Sequence, residues 1–230
     1  MGGLTFESAK ESVFVMFNLA VSGLRFYTPE IFELSLERGR YEFSSGECAV
    51  LFDDTGDSRP YSISSACSDE TLRFLIRRQP HGALSNFMAE LKLGDFVQVS
   101  PSFGEFRPIV GEGPTVLIAT GVGIAPFLSL LRGMERSNLV TCLYGVRYLN
   151  EAIELEHLQE KLNLSLAVSR EEYPQHFHGR VTELLDALSF PDNTNYSLCG
   201  YDAMTDEVFA RLHARGVPAR HIHSEVFFRS

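Results

Sequence analysis

Three short motifs in this chain of 230 residues carry side chains and turns that could take part in chemistry. The first is Gly121-Val122-Gly123-Ile124-Ala125-Pro126, which follows an apolar run at residues 115–119. That run predicts a strand buried on both faces of a parallel sheet, and Pro126 suits the first turn of a helix. Glycines between a strand and a helix let backbone N–H groups approach a phosphate or a flat ring. Because the third glycine of the dinucleotide fingerprint is missing, a turn that binds no ligand is an equal alternative.

The second motif, Arg59-Pro60-Tyr61-Ser62, lies in a predicted strand. Side chains two residues apart on a strand point the same way, so the motif can present a guanidinium, an aromatic ring and a hydroxyl to one ligand. The guanidinium suits a phosphate, the ring can stack on a heterocycle, and the hydroxyl can hydrogen-bond to one. The alternative is an edge strand with mixed polar side chains and an allowed early proline.

The third motif, Gly82-Ala83-Leu84-Ser85, lies at the start of a predicted helix. A glycine turn followed by a hydroxyl and free N–H groups can form an anion site. A serine at this place is more often a plain N-cap.

The elements that must position these motifs differ between the two halves of the chain. The first half has short β-like runs and one helical stretch, at 84–91, which predicts an antiparallel barrel or sandwich with strands at 12–19, 31–36, 47–52, 59–65, 71–77 and 96–100. After the first motif's strand, the second half alternates strands at 139–145, 164–168, 196–199 and 221–228 with helices at 151–162, 181–188 and 203–215. Alternation predicts a parallel sheet covered by helices on both faces. We therefore expect two domains, 1–110 and 111–230.

Residues just past the strands of a parallel sheet line its ligand site. Here they are Gly121, Gly123, Arg147, Ser169, Arg170, Cys199 and Gly200. Arg147 and Arg170, together with Arg180, favour a 2'-phosphate and hence NADP over NAD, since no acidic residue ends the second strand. The alternative for each arginine is a solvated surface side chain. Two histidine pairs alternate at strand spacing, but with no third ligand in view we predict no metal site.

The composition narrows the possible function classes. A formal net charge of -10 gives no overall attraction to nucleic acid or to an anionic membrane. No apolar run approaches the roughly 20 residues that span a bilayer, and the first residues are not built like a signal peptide, so we expect a cytoplasmic protein. The four cysteines lie too far apart for a disulfide framework or an iron-sulfur cluster.

Five segments resemble the motif set of the ferredoxin-NADP reductase family, in its bacterial, FAD-dependent form, and they follow one another along the chain in the order of that family. They are the three motifs above, at 59–62, 82–85 and 121–126, followed by Cys199-Gly200 and Glu225-Val226-Phe227. The resemblance implies an antiparallel flavin-binding barrel followed by an α/β nucleotide-binding domain. It also implies hydride transfer between NADPH and FAD, and single-electron exchange with a ferredoxin or flavodoxin. Alternatives are an NAD(P)H-dependent flavin reductase and the reductase subunit of a multicomponent oxygenase.

The same resemblance implies roles for individual residues. Ser62, Cys199 and Glu225 are the candidate catalytic residues, near the reacting rings. The FAD-binding residues are Arg59, Pro60, Tyr61, Ser62, Gly82, Leu84 and Ser85. The NADP-binding residues are Thr120, Gly121, Gly123, Ile124, Pro126, Arg147, Ser169, Arg170, Arg180, Gly200 and Phe227. An acidic electron carrier would dock on a basic patch, for which Arg73, Arg77 and Arg78 are the candidates.

Overall fold

A computed structural model describes residues 15–108, 110 and 113–225 of the chain. Phe227 of the predicted site lies outside the described residues, as do the beginning of the strand predicted at 12–19 and the end of the strand predicted at 221–228. No helix in the described ranges is both long enough and apolar enough to cross a membrane.

The first half forms a six-stranded antiparallel sheet that closes into a barrel. Its strands are β1 (Phe17–Phe26), β2 (Ile31–Glu37), β3 (Cys48–Phe52), β4 (Ser58–Ser62), β5 (Thr71–Arg77) and β6 (Phe96–Val99). They lie in the order β4-β3-β6-β1-β2-β5. The two edges meet where the Ser64 N–H donates to the Arg73 carbonyl at 2.8 Å. The antiparallel fold is thus confirmed, and closure selects the barrel over the sandwich.

Alternation along the strands fills the barrel with apolar side chains. On β2, Phe32, Leu34 and Leu36 point into the core, while Glu33 between them points the other way. Helix α1 (Ala83–Glu90) packs Leu84 and Met88 against the same core. Its first turn is thereby fixed relative to the strands.

The second half forms a six-stranded sheet in which every pairing is parallel. Its strands are β7 (Thr115–Thr120), β8 (Val140–Val146), β9 (Asn163–Val168), β10 (Phe177–His178), β11 (Asn195–Cys199) and β12 (Ile222–Ser224), in the order β10-β9-β8-β7-β11-β12. The helices are α2 (Ala125–Arg132), α3 (Leu155–Lys161), α4 (Val181–Asp186) and α5 (Asp202–Ala214). The predicted parallel sheet is confirmed.

Strand β7 is buried on both faces, as its apolar run predicts. Leu117 and Ala119 pack on the side of α2 and α3, whereas Val116 and Ile118 pack on the side of α4 and α5. The glycines after β7 form a short 3-10 helix, Gly121–Ile124, that runs directly into α2, with Pro126 in the first turn. The predicted strand, turn and helix are confirmed.

Two predicted elements have different bounds in the structure, and a third element is one that the sequence does not predict. Strand β1 continues to Phe26, well past the predicted end at 19, because it pairs with both β2 and β6. The helix predicted at 151–162 begins only at Leu155, since Glu154 adopts a left-handed backbone conformation with φ 50°. The two-residue strand β10 is too short for its sequence pattern to predict it. The predicted domain boundary at residue 110 falls in the connection between β6 and β7. The division of the chain into domains 1–110 and 111–230 remains a prediction.

The two sheets meet through apolar packing and a buried ion cluster. Ile31 and Phe106 of the first half share one core with the α2 face of the second sheet. Beside it the Arg132 guanidinium, with 7% of its side chain exposed, pairs with Glu33 of β2 at 2.6 Å and with Glu154. It also donates to the Ser64 carbonyl at 2.7 Å. One arginine of α2 therefore compensates two carboxylates that the junction buries.

We predict that Arg132→Met lowers the free energy of unfolding by about 3 kcal/mol, because it removes the counter-charge of Glu154 and the closer of the two arginines that pair with Glu33. Equilibrium denaturation in urea measures the change. Arg136→Met is the matched control on an exposed side chain and should change stability by less than about 0.5 kcal/mol. Equal effects of the two substitutions would contradict the assignment of Arg132 as the compensating charge.

Candidate active site at the junction of the two sheets

A cavity of about 600 Å³ is lined by residues of all three motifs predicted from the sequence. Its barrel wall is lined by Arg59, Pro60, Tyr61, Ser62, Gly82, Leu84 and Ser85. Val122 and Ala125, from the glycine turn of the second half, line the same cavity. The three motifs, far apart in sequence, therefore surround one cleft.

The polar groups of this cavity fit a phosphate-bearing aromatic cofactor. Helix α1 starts at the cavity, and Gly82 at its N-cap offers no side-chain cap, so the positive end of the helix is available to an anion. The Ser85 hydroxyl is held by the Gln79 N–H at 3.0 Å and donates to the Gly82 carbonyl. Arg59 is half exposed and pairs with Asp57 at 2.7 Å. Tyr61 offers an aromatic ring at the cavity wall, and burial raises the pKa of its hydroxyl to about 12.

The three candidate catalytic residues converge across the junction. The Ser62 hydroxyl, at the end of β4, donates to Glu225 Oε2 at 3.1 Å. The Cys199 thiol, at the end of β11, donates to the same oxygen at 3.4 Å. Glu225 follows β12, and its own N–H donates to the Leu198 carbonyl at 3.0 Å. A carboxylate of the second half is thus hydrogen-bonded to a hydroxyl of the barrel.

Burial sets the protonation behaviour of this cluster. It raises the pKa of the Glu225 carboxyl above its usual value, against the opposing effect of the hydrogen bonds that the carboxylate accepts. The pKa of the Cys199 thiol is raised well above its ordinary value, first by burial and then by the nearby carboxylate. Cys199 is therefore a neutral hydrogen-bond donor and not a thiolate nucleophile.

Two glycines allow the turn after β7 to lie directly against the end of β11. A Cβ on Gly123 would lie 2.6 Å from the Cys199 carbonyl oxygen and 2.6 Å from Gly200 Cα. A Cβ on Gly200, whose φ is +154°, would meet the Thr120 hydroxyl at 2.1 Å. Both positions therefore need glycine, and the two strand ends that carry Thr120 and Cys199 are held close together.

A second cavity, of about 230 Å³, lies at the carboxyl edge of the parallel sheet. Among the predicted nucleotide-binding residues it is lined by Thr120, Gly121, Arg147, Ser169 and Arg180. In the described part of the chain Arg180 makes no salt bridge, so its charge is available to an anion. This arrangement can bind a phosphate beside a sheet edge, as the sequence predicts.

Arg77 lines both cavities and pairs across the junction with Glu151 at 3.2 Å. Glu151 also accepts a hydrogen bond from the Arg147 guanidinium at 2.9 Å. Burial acts to raise the pKa of Glu151, but the bonds and charges of Arg147 and Arg77 outweigh it, and the pKa falls below its usual value. Glu151 is thus a carboxylate shared by one arginine from each half.

Some predicted site residues lie away from the two cavities. Ile124 and Pro126 are buried and shape the turn, and Arg170 is exposed without lining either cavity. Of the predicted basic patch, the structure contradicts the surface position of Arg77, and all three arginines are engaged in ion pairs. Arg77 is only 10% exposed, Arg73 pairs with Asp69 and Glu33, and Arg78 pairs with Glu90. No group of His, Cys, Asp or Glu in the described ranges is arranged to hold a metal ion.

Sequence reasoning missed two polar members of the site. Cys48 of β3 donates its thiol to Glu225 Oε1 at 2.7 Å, and Glu151 joins the two arginines described above. Cys48 stands opposite Ser62 in the β3–β4 register, which only the fold reveals. Glu151 could have been noticed as the acidic residue four positions after Arg147, a spacing that allows an ion pair within one turn.

Comparison with known proteins agrees with this geometry. Residues 15–107 match the model of the oxidoreductase FAD-binding domain, and residues 117–209 match that of the oxidoreductase NAD-binding domain. The chain is 32% identical to a flavodoxin/ferredoxin-NADP reductase of Buchnera aphidicola, over 67% of this chain and 68% of that one.

Two further proteins are similar. One is the ferredoxin-NAD(P)(+) reductase component of the naphthalene 1,2-dioxygenase/salicylate 5-hydroxylase systems of a Ralstonia species, 30% identical over 82% of this chain. The chain spans 62% of the length of that relative. The other is the crystal structure of a ferredoxin NADP+ reductase from Neisseria gonorrhoeae with bound FAD and NADP. It superposes with a TM-score of 0.82 at 24% identity, covering 91% of this chain and 98% of that one. With both domain models matched in order and a relative matched over two thirds of its length, the chain belongs to the ferredoxin-NADP reductase family.

Proposed function

We propose that the chain is an FAD-dependent reductase that exchanges hydride with NADPH and single electrons with a ferredoxin or flavodoxin. The observation that carries the proposal is the cleft shared by the two halves. Arg59 to Ser62 of the barrel and Val122 of the nicotinamide-side turn line one cavity. Hydride transfer requires the reacting atoms to come within roughly 3 to 3.5 Å, and a cleft built from both domains supports that approach.

In this proposal the first cavity binds FAD and the second binds NADPH. Bound FAD supplies the hydride acceptor and can release electrons one at a time. The Arg59 guanidinium and the first turn of α1 bind its phosphates, while Tyr61 packs on the ring system. Arg147, Ser169 and Arg180 bind the nucleotide phosphate at the sheet edge. Ser62, Cys199 and Glu225 orient the reacting rings through hydrogen bonds and do not act as nucleophiles.

A second candidate function is the reductase component of a multicomponent oxygenase. It is favoured by the similarity to the Ralstonia reductase component, whose length this chain spans only in part. Turnover of NADPH by the isolated chain with an artificial acceptor separates the two, because a module that works only inside its complex would give none. A flavin reductase that releases its flavin is less well supported, since α1 offers an anion site to a retained dinucleotide.

We further propose a cytoplasmic location, with neither nucleic acid nor membrane as a partner. The net charge of -10 gives no attraction to either polyanion. Because Arg73 and Arg77 are largely buried in ion pairs, a carrier protein must dock on other residues than those.

We predict that the purified chain carries FAD and that its absorption bleaches on anaerobic titration with one equivalent of NADPH, more readily than with NADH. The reason is that both cavities offer cationic or N–H groups to phosphates. The absorption spectrum and the titration measure this directly. A colourless protein that binds no added FAD would contradict the proposal.

We predict that Arg180→Ala raises the KM for NADPH about tenfold or more and leaves the KM for NADH within about twofold. A charge-assisted hydrogen bond to a 2'-phosphate is worth roughly 1.5–3 kcal/mol, and NADH has no such group. Steady-state kinetics with both nucleotides measures the split. Arg220→Ala, on an exposed arginine that lines neither cavity, is the matched control. A parallel rise for both nucleotides would reject the 2'-phosphate role.

We predict that Ser62→Ala and Glu225→Gln each slow flavin reduction by NADPH about tenfold or more while FAD stays bound. Each substitution removes one partner of a buried hydrogen bond to a carboxylate. Anaerobic stopped-flow absorption measures the rate, and the protein-bound flavin content measures retention. Reduction at the wild-type rate in both variants would count against these positions.

A further inference from the structure

We propose that Cys48 is a positioning residue that holds the Glu225 carboxylate against Ser62 for hydride transfer. The inference rests on the proposed function and adds a residue that neither the sequence motifs nor the domain matches single out. It predicts that the barrel controls the geometry of Glu225 from a strand next to the one that carries Ser62.

The three side-chain donors are divided between the two oxygens of the Glu225 carboxylate. Cys48 donates its thiol to Oε1 at 2.7 Å, whereas Ser62 and Cys199 donate to Oε2 at 3.1 and 3.4 Å. Among the residues that the structure describes, Cys48 is the one side-chain donor to Glu225 Oε1. Donors on both oxygens restrain rotation of the carboxylate about its last bond more than donors on one oxygen alone.

Cys48 is itself firmly placed. It stands opposite Ser62 in the antiparallel register of β3 and β4. Its N–H donates to the Phe103 carbonyl at 2.8 Å, and its carbonyl accepts from the Phe103 N–H at 2.9 Å. The thiol lies 3.7 Å from the Ser62 hydroxyl. Because the Cys48 backbone is paired on both sides, its thiol has a fixed place in the barrel. The thiol can therefore hold the carboxylate at a defined position relative to the barrel.

The charge state of the thiol suits this role. Burial and the Glu225 side chain raise the pKa of the Cys48 thiol well above its ordinary value. The thiol therefore stays protonated and acts as a hydrogen-bond donor. The titratable groups that face Glu225 are Cys48 and Cys199, both neutral, with the Ser62 hydroxyl beside them. Glu225 is the acceptor shared by all three side chains.

The kinetic test compares Cys48→Ala with Cys48→Ser, using Cys67→Ser as the control on an exposed cysteine outside the site. We expect Cys48→Ala to slow stopped-flow flavin reduction by NADPH about tenfold, with the KM for NADPH and the flavin content unchanged. Cys48→Ser, which keeps a donor, should restore the rate to within about threefold of wild type. In a Glu225→Gln background, Cys48→Ala should cause less than a twofold further loss, because the two residues act as one unit.

A second measurement does not depend on activity or on the folding of a Cys48 variant. Glu225→Gln removes the negative charge beside the thiol, so we expect iodoacetamide to modify Cys48 at least fivefold faster than in the wild-type protein. Peptide mapping by mass spectrometry follows Cys48 and Cys67 in the same sample, and the rate at Cys67 should not change.

The outcomes separate the inference from the proposed function. If NADPH reduces the wild-type flavin but Cys48→Ala reacts at the same rate, or the losses multiply independently with Glu225→Gln, the positioning role is overturned and the function stands. An unchanged alkylation rate at Cys48 in Glu225→Gln also overturns it. If NADPH does not reduce the wild-type flavin, both the proposed function and the inference about Cys48 are overturned.

Discussion

Compensation of buried charge at the junction of the two sheets is the constraint on which the rest of the structure depends. A hydride-transfer site built from two domains works only if their separation is fixed to a fraction of an ångström, and apolar packing alone is not directional. Here the directional contacts are ionic or charge-assisted. Arg132 bridges to Glu33, Arg77 bridges to Glu151, and Glu225 accepts a hydrogen bond from Ser62. Each contact joins one residue of the barrel to one of the parallel sheet.

The fold could be predicted from the sequence because its signals are local. The run at 115–119 is apolar at every position, and β7 is indeed buried on both faces. The alternation of strands and helices after it predicts a parallel sheet, although not the order of the strands within it. Element ends were less predictable where tertiary structure decides them. The left-handed Glu154 delays α3, and pairing with two neighbours extends β1.

The candidate site was predictable only where motifs carry it. Arg59 to Ser62 and Val122 of the glycine turn line one cavity, which is where the family resemblance predicts two halves of a common cleft. Cys48 was not found, since its importance comes from standing opposite Ser62 across two strands, and a sequence does not state its register. Arg77 was misjudged as a surface charge for the same reason, because its partner lies in the other half of the chain.

If the second cavity binds a nucleotide phosphate, as we propose, the sharing of Glu151 links that binding to the cohesion of the two domains. Arg77 holds this carboxylate from the barrel and Arg147 holds it from the sheet edge. An anion that recruits Arg147 leaves Glu151 more fully available to Arg77, and reciprocally a stronger bond between Arg77 and Glu151 frees Arg147 for the anion. By thermodynamic linkage the two equilibria must influence each other by the same free energy. The interdomain ion pair would then contribute to ligand affinity as well as to folding stability.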